Sequence, residues 1–361
     1  MISTPNLRSV WVLLFLTYSA LLVSGSLYPF SAWHDVYSVD LSFLWATWPR
    51  TITRIDLLTN LFVYTPFGLF ATRALFRRHY SLAHWLTICL LGAAFSTTME
   101  CLQLFVPNRV ASNVDIVANS AGAALGAALA PFISRRSHLF AQLVAVRRHW
   151  FRTGWLVNLG LILLVLWVLA QFSLQAPGLV AGSLHGGFTP FWENVDAQFK
   201  SGVALLFALE IASVSLFTAA LLRPDRRLMP GTLSLTLCAI LLKFLAAALL
   251  IKLAFLARLL SLEVLFGLSF GAGAALSIVY FRASPPPYPL LAGVLCALIM
   301  AKLLLGAPFL TATGQTPDLA TQPERLFNIG GIAYLVAEAW SYLALGCALA
   351  LWEWEKPDIH S

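Results

Sequence analysis

Apolar runs of about twenty residues, the length that crosses a bilayer as a helix, follow one another along most of the chain. No other feature constrains the fold as strongly. The first run begins VWVLLFLTYSALLV (10–23), and nine more follow it. In lipid every backbone N–H and C=O must find a partner inside the protein, and a helix satisfies all of them within one segment. The predicted helices are 9–30, 56–76, 82–106, 114–133, 154–172, 202–222, 232–253, 258–281, 289–310 and 330–352. The expected fold class is all-α, a polytopic integral membrane bundle of about ten transmembrane helices. Arg8 before the first run and Ser24-Gly25-Ser26 after it resemble a signal peptide. Its length and the spans behind it favour an uncleaved helix.

Composition agrees. Of 361 residues, 59% are hydrophobic and 11% charged, with a mean hydropathy of +0.80. A soluble domain carries about 25% charged residues, so an ordinary soluble enzyme and a disordered chain are both excluded. The net charge of +7 fits basic loops facing anionic lipid. No basic run is interleaved with aromatics, so no nucleic-acid partner is expected. Cys89, Cys101, Cys238, Cys296 and Cys347 fall in apolar stretches and the seven histidines are scattered. Neither set has metal-ligand spacing, and no metal or cofactor is expected.

Basic residues orient such a chain, because cytoplasmic loops hold the excess of Lys and Arg. With the N-terminus in the cytoplasm, 14 of the 23 Lys and Arg fall on the cytoplasmic side, 7 outside and 2 within spans. Both termini are therefore expected to be cytoplasmic. Residues 31–55 form an outer segment with Trp33, Tyr37, Phe43, Trp45 and Trp48, an interfacial aromatic belt. Residues 135–153 read as a basic amphipathic helix on the cytoplasmic face. They divide a four-span unit, 1–134, from a six-span unit, 154–361, whose role the sequence leaves unassigned. An outer loop at 173–200 carries Gly182, Gly186, Gly187 and Pro190, and Ser284–Pro287 reads as a stiff turn.

Ionisable groups inside spans are costly and mark function by default. In the second span Asp56, Asn60 and Tyr64 stack at intervals of four, and Pro66 and Gly68 are placed to break or bend the helix. In the third, Ser96, Glu100 and Gln103 share a face. In the fourth, Asp115, Asn119, Gly122 and Gly126 form one narrow stripe, and the Gly-x-x-x-Gly spacing permits close backbone approach. These carboxylates and amides all belong to the outer half of their spans, with Arg50, Arg54 and Arg109 in the adjoining loops. Two readings fit: a hydrogen-bonded network joining helices, or a polar crevice open to the outer leaflet.

Residues about 50–133 resemble the VanZ-like family of bacterial membrane proteins. The resemblance rests on N-x5-P-x-G at Asn60, Pro66 and Gly68. It rests also on E-x2-Q-x5-R-x5-D-x3-N-x2-G at Glu100, Gln103, Arg109, Asp115, Asn119 and Gly122, with Pro107 in the turn. The run Leu27-Tyr28-Pro29-Phe30 is similar to the family's N-terminal stretch. Few acids lie in Val110–Val114, where relatives often carry more. The family takes its name from a protein associated with teicoplanin resistance, so the resemblance implies a cell-envelope role in the bacterial inner membrane rather than a reaction.

In the six-span unit Glu210, Lys243, Glu263, Lys302 and Glu338 fall within spans. Matching depths predict a buried Lys302–Glu338 pair, with Glu210–Lys243 a weaker one; a proton or ion path is the sharper alternative. The leading functional expectation is an accessory protein that binds a lipid head group, glycolipid or lipophilic glycopeptide. Asp56, Asn60, Tyr64, Glu100, Gln103, Arg109, Asp115 and Asn119 would line the site. The alternatives are an enzyme acting on a lipid-linked envelope intermediate, with Glu100 or Asp115 as acid or base and Arg109 at phosphate, or a transporter.

Overall fold

The computed structural model describes residues 7–27, 40–48, 54–76, 81–106, 109–132, 138–171, 199, 201–223, 238, 241, 262–281, 288–312 and 324–355. Most of the expected span at 232–253 with Lys243, the loop glycines 182, 186 and 187, Tyr28–Phe30, Trp33, Tyr37, Arg50, Pro107 and Ser284–Pro287 lie outside those residues. Among the described residues the architecture is helical. The helices are α1 (Leu7–Leu27), α2 (Arg54–Leu75), α3 (Leu82–Gln103), α4 (Asn113–Leu129), α5 (His138–Trp150), α6 (Trp155–Ala170), α7 (Ser201–Leu221), α8 (Leu262–Phe281), α9 (Tyr288–Ala312) and α10 (Glu324–Glu355). Two 3-10 turns, Leu41–Trp45 and Ala130–Phe132, and an isolated bridge between Phe151 and Leu222 complete the described elements.

Four described segments are long and apolar enough to cross a membrane: Ser9–Leu27, Leu82–Gln103, Asn113–Phe132 and Ala204–Leu221. Trp155–Ala170, Leu265–Ser277 and Tyr288–Leu304 are apolar but shorter. The basic linker forms α5, which ends on Arg147, Arg148 and His149. Burial, with Arg148 beside it, holds the Arg147 guanidinium below its usual value.

The chain divides into two compact units, Met1–His149 and Trp150–Ser361. In the first, α4 packs along α2 and α3, and α1 packs along α2. Small residues set the α2–α4 distance. A Cβ at Gly126 would land on the Thr65 carbonyl oxygen and 2.7 Å from the Leu69 nitrogen. A Cβ at Gly122 would strike the Leu61 carbonyl, and one at Gly68 the Ala123 backbone. Helices in lipid gain little from hydrophobic burial, so this closeness supplies the packing that joins them. α2 continues through Pro66 as one helix, so the break predicted there does not occur. Next to the proline, the Thr65 hydroxyl donates to the Leu61 carbonyl at 2.8 Å. Phe67, Tyr64 and Ala123 fill the centre, with Phe15 and Phe95 against them.

In the second unit α7 is apolar on nearly every side and lies at the centre, as such helices do. Leu206, Phe207, Leu216 and Phe217 are fully buried. α8 approaches through Gly267 and Gly271, against Ala204, Phe207 and Ala208. At one end Arg152 ion-pairs with Glu355, and Tyr288 lies between them. The Tyr288 hydroxyl accepts from Arg152 at 2.8 Å and donates to Glu355 at 2.8 Å. This clasp holds the start of α9 to the end of α10. Tyr288→Phe keeps the ring and loses both bonds, so it should lower the stability of the detergent-solubilised protein by about 2 kcal/mol, at roughly 1 kcal/mol net per hydrogen bond.

Candidate functional site

The predicted polar residues gather at one end of the first unit. The C-terminal turns of α1 and α3 and the N-terminal turns of α2 and α4 meet there, because consecutive helices run antiparallel. Asn60 on α2 donates from Nδ2 to Asp115 Oδ1 on α4, at 2.7 Å. Asn119, one turn further along α4, donates to Ser96 Oγ on α3 at 2.9 Å. Tyr64, one turn beyond Asn60, also meets the Ser96 hydroxyl. The spacing of four along each helix thus becomes two rungs of hydrogen bonds linking α2, α3 and α4.

Glu100 is 4% exposed. Its Oε2 accepts the backbone N–H of Ser112 at 2.9 Å. Ser112 is the N-cap of α4, its hydroxyl accepting from Val114 N at 3.2 Å. A carboxylate at a helix N-terminus also complements the exposed N–H groups and the helix dipole. Glu100 lies in the electrostatic field of both Asp115 and Arg109, and Asp115 in that of Asp56. Gln103 and Arg109 turn towards α1: Gln103 Nε2 donates to the Ser26 carbonyl and Arg109 Nη2 to the Gly25 carbonyl, each at 3.2 Å. Of the residues expected to converge, Asn60 and Asp115 bond to each other, whereas Asn119 bonds to Ser96, Glu100 to the start of α4 and Gln103 to α1.

Most of this set joins helices, yet it is not closed. Asp56, Asn60, Arg109 and Asp115 are partly exposed. Below them Asn119, 5% exposed, has no partner for its Oδ1. Beside the acids, Asn113 donates to the Ala46 carbonyl at 2.7 Å. That bond holds the 3-10 turn near the start of α4, with Trp45 and Trp48 exposed. Asp40 caps this turn, and hydrogen bonds from the Ser42 hydroxyl and N–H hold its carboxyl below the usual range.

Some partners were missed in the sequence. Ser112 carries a readable signal, since Ser just before a helix is a favoured N-cap. The Gly25 and Ser26 carbonyls carry none, because any residue supplies a carbonyl. Pairing in the second unit also differs from expectation. Lys302 Nζ on α9 lies 3.8 Å from Glu210 Oε2 on α7 and donates to the Ala337 carbonyl at 3.3 Å. Glu210, not Glu338, is therefore its ion-pair partner. Depth matched Lys302 with Glu338 correctly to one turn. Successive helical residues, however, point about 100° apart, and Ala337 faces Lys302 while Glu338 is partly exposed.

Fold and site together define a helical membrane unit with a polar, acid- and amide-lined end. Residues 8–134 match the VanZ/LLP1 family model, so the first unit is VanZ-like. No curated protein and no solved structure matches the chain.

Proposed function

We propose that the VanZ-like unit serves the bacterial cell envelope by binding a lipid head group, glycolipid or lipophilic glycopeptide at its acid- and amide-lined end, which faces the outer leaflet of the inner membrane. One observation carries this reading. Asp56, Asn60 and Asp115 form a partly exposed rim above buried Glu100 and Asn119, and exposed Trp45 and Trp48 stand at the same end. Tryptophan favours the level of lipid head groups, which supports reading the rim as a place where a head group arrives. Carboxylates and amides there suit donor-rich ligands such as sugar hydroxyls and amines. The interhelical bonds hold the rim in place before binding, so little ordering cost remains.

The test combines a deletion strain with variants expressed at equal protein level. Asp115→Ala and Arg109→Lys should both reproduce the envelope lipid profile of the deletion strain. Lysine fails because a point charge cannot copy the planar fork by which Arg109 engages both Gly25 and an incoming group. A wild-type lipid profile in both variants would leave the polar end a helix-joining network and nothing more.

A further inference from the structure

The second unit holds a buried charge cluster that the VanZ-like unit does not account for. Glu210 is 0% exposed. One of its oxygens accepts from the Trp167 indole on α6 at 2.8 Å. The other has no hydrogen bond, and Lys302 approaches it only to 3.8 Å. The charged groups acting on Glu210 are Lys302 on α9 and Glu338 on α10. Of the other helices packed on α7, α6 adds Trp167 and Gln171, and α8 faces it with Gly267 and Gly271.

Among the described residues, Lys302 is the ion-pair partner of Glu210, and partly exposed Glu338 adds a second negative charge to the field at Glu210. A like charge near a buried carboxylate disfavours its ionised form, and burial acts in the same direction. Three further fully buried polar atoms on these helices lack partners: Gln171 Oε1, Ser213 Oγ three residues along from Glu210, and Ser341 Oγ three residues along from Glu338. Gln171 Oε1 only accepts, while the two serine hydroxyls both donate and accept.

We infer that the Glu210–Lys302–Glu338 cluster is an intramembrane proton-binding site. A proton from water adds to the free oxygen of Glu210, and the new O–H donates to a neighbouring acceptor. Lys302 then keeps the Ala337 carbonyl and the field of Glu338. Release returns the proton to water and restores the Glu210–Lys302 pair. One proton balances the cluster's one excess charge, which is the chemistry on which proton-coupled membrane carriers depend.

The test uses the full chain in liposomes, titrated with pH and followed by the infrared stretch of protonated carboxyl groups. The chain's 16 acidic residues all add to a carboxyl band on acidification, and one component of it should be missing in Glu210→Gln and persist in Glu263→Gln. Glu338→Gln removes the excess charge, so that component should need about tenfold more protons to appear. Lys302→Met removes the counter-ion, so the component should persist to about tenfold fewer protons, the size of effect a nearby charge exerts. An identical titration in the parent and in both charge variants, Glu338→Gln and Lys302→Met, would overturn the inference. So would a band that follows sodium concentration at fixed pH. Glu338→Gln, at a partly exposed position, keeps the test informative if Glu210→Gln or Lys302→Met fails to fold.

Discussion

Gly126→Ala should cost the VanZ-like unit about 3 kcal/mol, the upper end of what overpacking normally costs. The added methyl has nowhere to go, because it meets the Thr65 carbonyl oxygen and the Leu69 nitrogen of α2. Both are backbone atoms inside a helix, so neither can turn aside as a flexible side chain would. α4 must retreat from α2, and the Asn60–Asp115 bond between them, 2.7 Å in the native packing, must stretch. Gly346→Ala is the control. Nothing lies within 4 Å of a Cβ there, and alanine gains about 1 kcal/mol over glycine in a helix interior. Thermal unfolding of the solubilised protein should therefore move in opposite directions for the two substitutions. A neutral Gly126→Ala would mean that the helices do not depend on this close approach.

Lys302→Met should be the most damaging single change in the second unit, at about 3–5 kcal/mol, because it strands a buried carboxylate. Glu210 has no exposure through which water could replace the ammonium. The double variant Glu210→Gln, Lys302→Met should recover much of that loss, since no bare charge is left behind. Lys302→Met with Glu338→Gln should recover less, because Glu338 is partly exposed and is not the ion-pair partner. A double-mutant cycle on folded protein in mild detergent separates the pairs. Additive losses for Glu210 and Lys302 would show that the 3.8 Å approach carries no coupling.

The two cases differ in how far the sequence anticipates them. For Gly122 and Gly126, spacing on one helix is enough to predict close approach, and the order of polar residues across 60–122 places Asn60, Glu100, Asp115 and Asn119 near one another. Such patterns are local, and helical periodicity translates them directly into faces. The Lys302 pairing is not local. Depth along the helix axis can be counted from span ends, but rotation about that axis depends on how α7, α9 and α10 pack. The sequence therefore identifies a buried charge needing a partner and leaves Glu210 and Glu338 as competing choices.

By itself, then, the sequence determined the helical membrane class, the limits of the described helices to within a few residues apart from the ends of α10, the polar stripes of α2, α3 and α4, and the VanZ-like character of the first unit. These follow from apolar run length, three-to-four-residue spacing and motif order, all carried by neighbouring positions. Tertiary structure alone decided that Glu100 accepts from the α4 N-cap, that Gln103 and Arg109 turn to the α1 carbonyls and that Lys302 meets Glu210. It also decided that α2 stays continuous through Pro66. The reason is geometric: partners far apart in sequence are chosen by the azimuth at which packed helices meet. Close-packed small residues set that angle, and hydropathy carries no record of it.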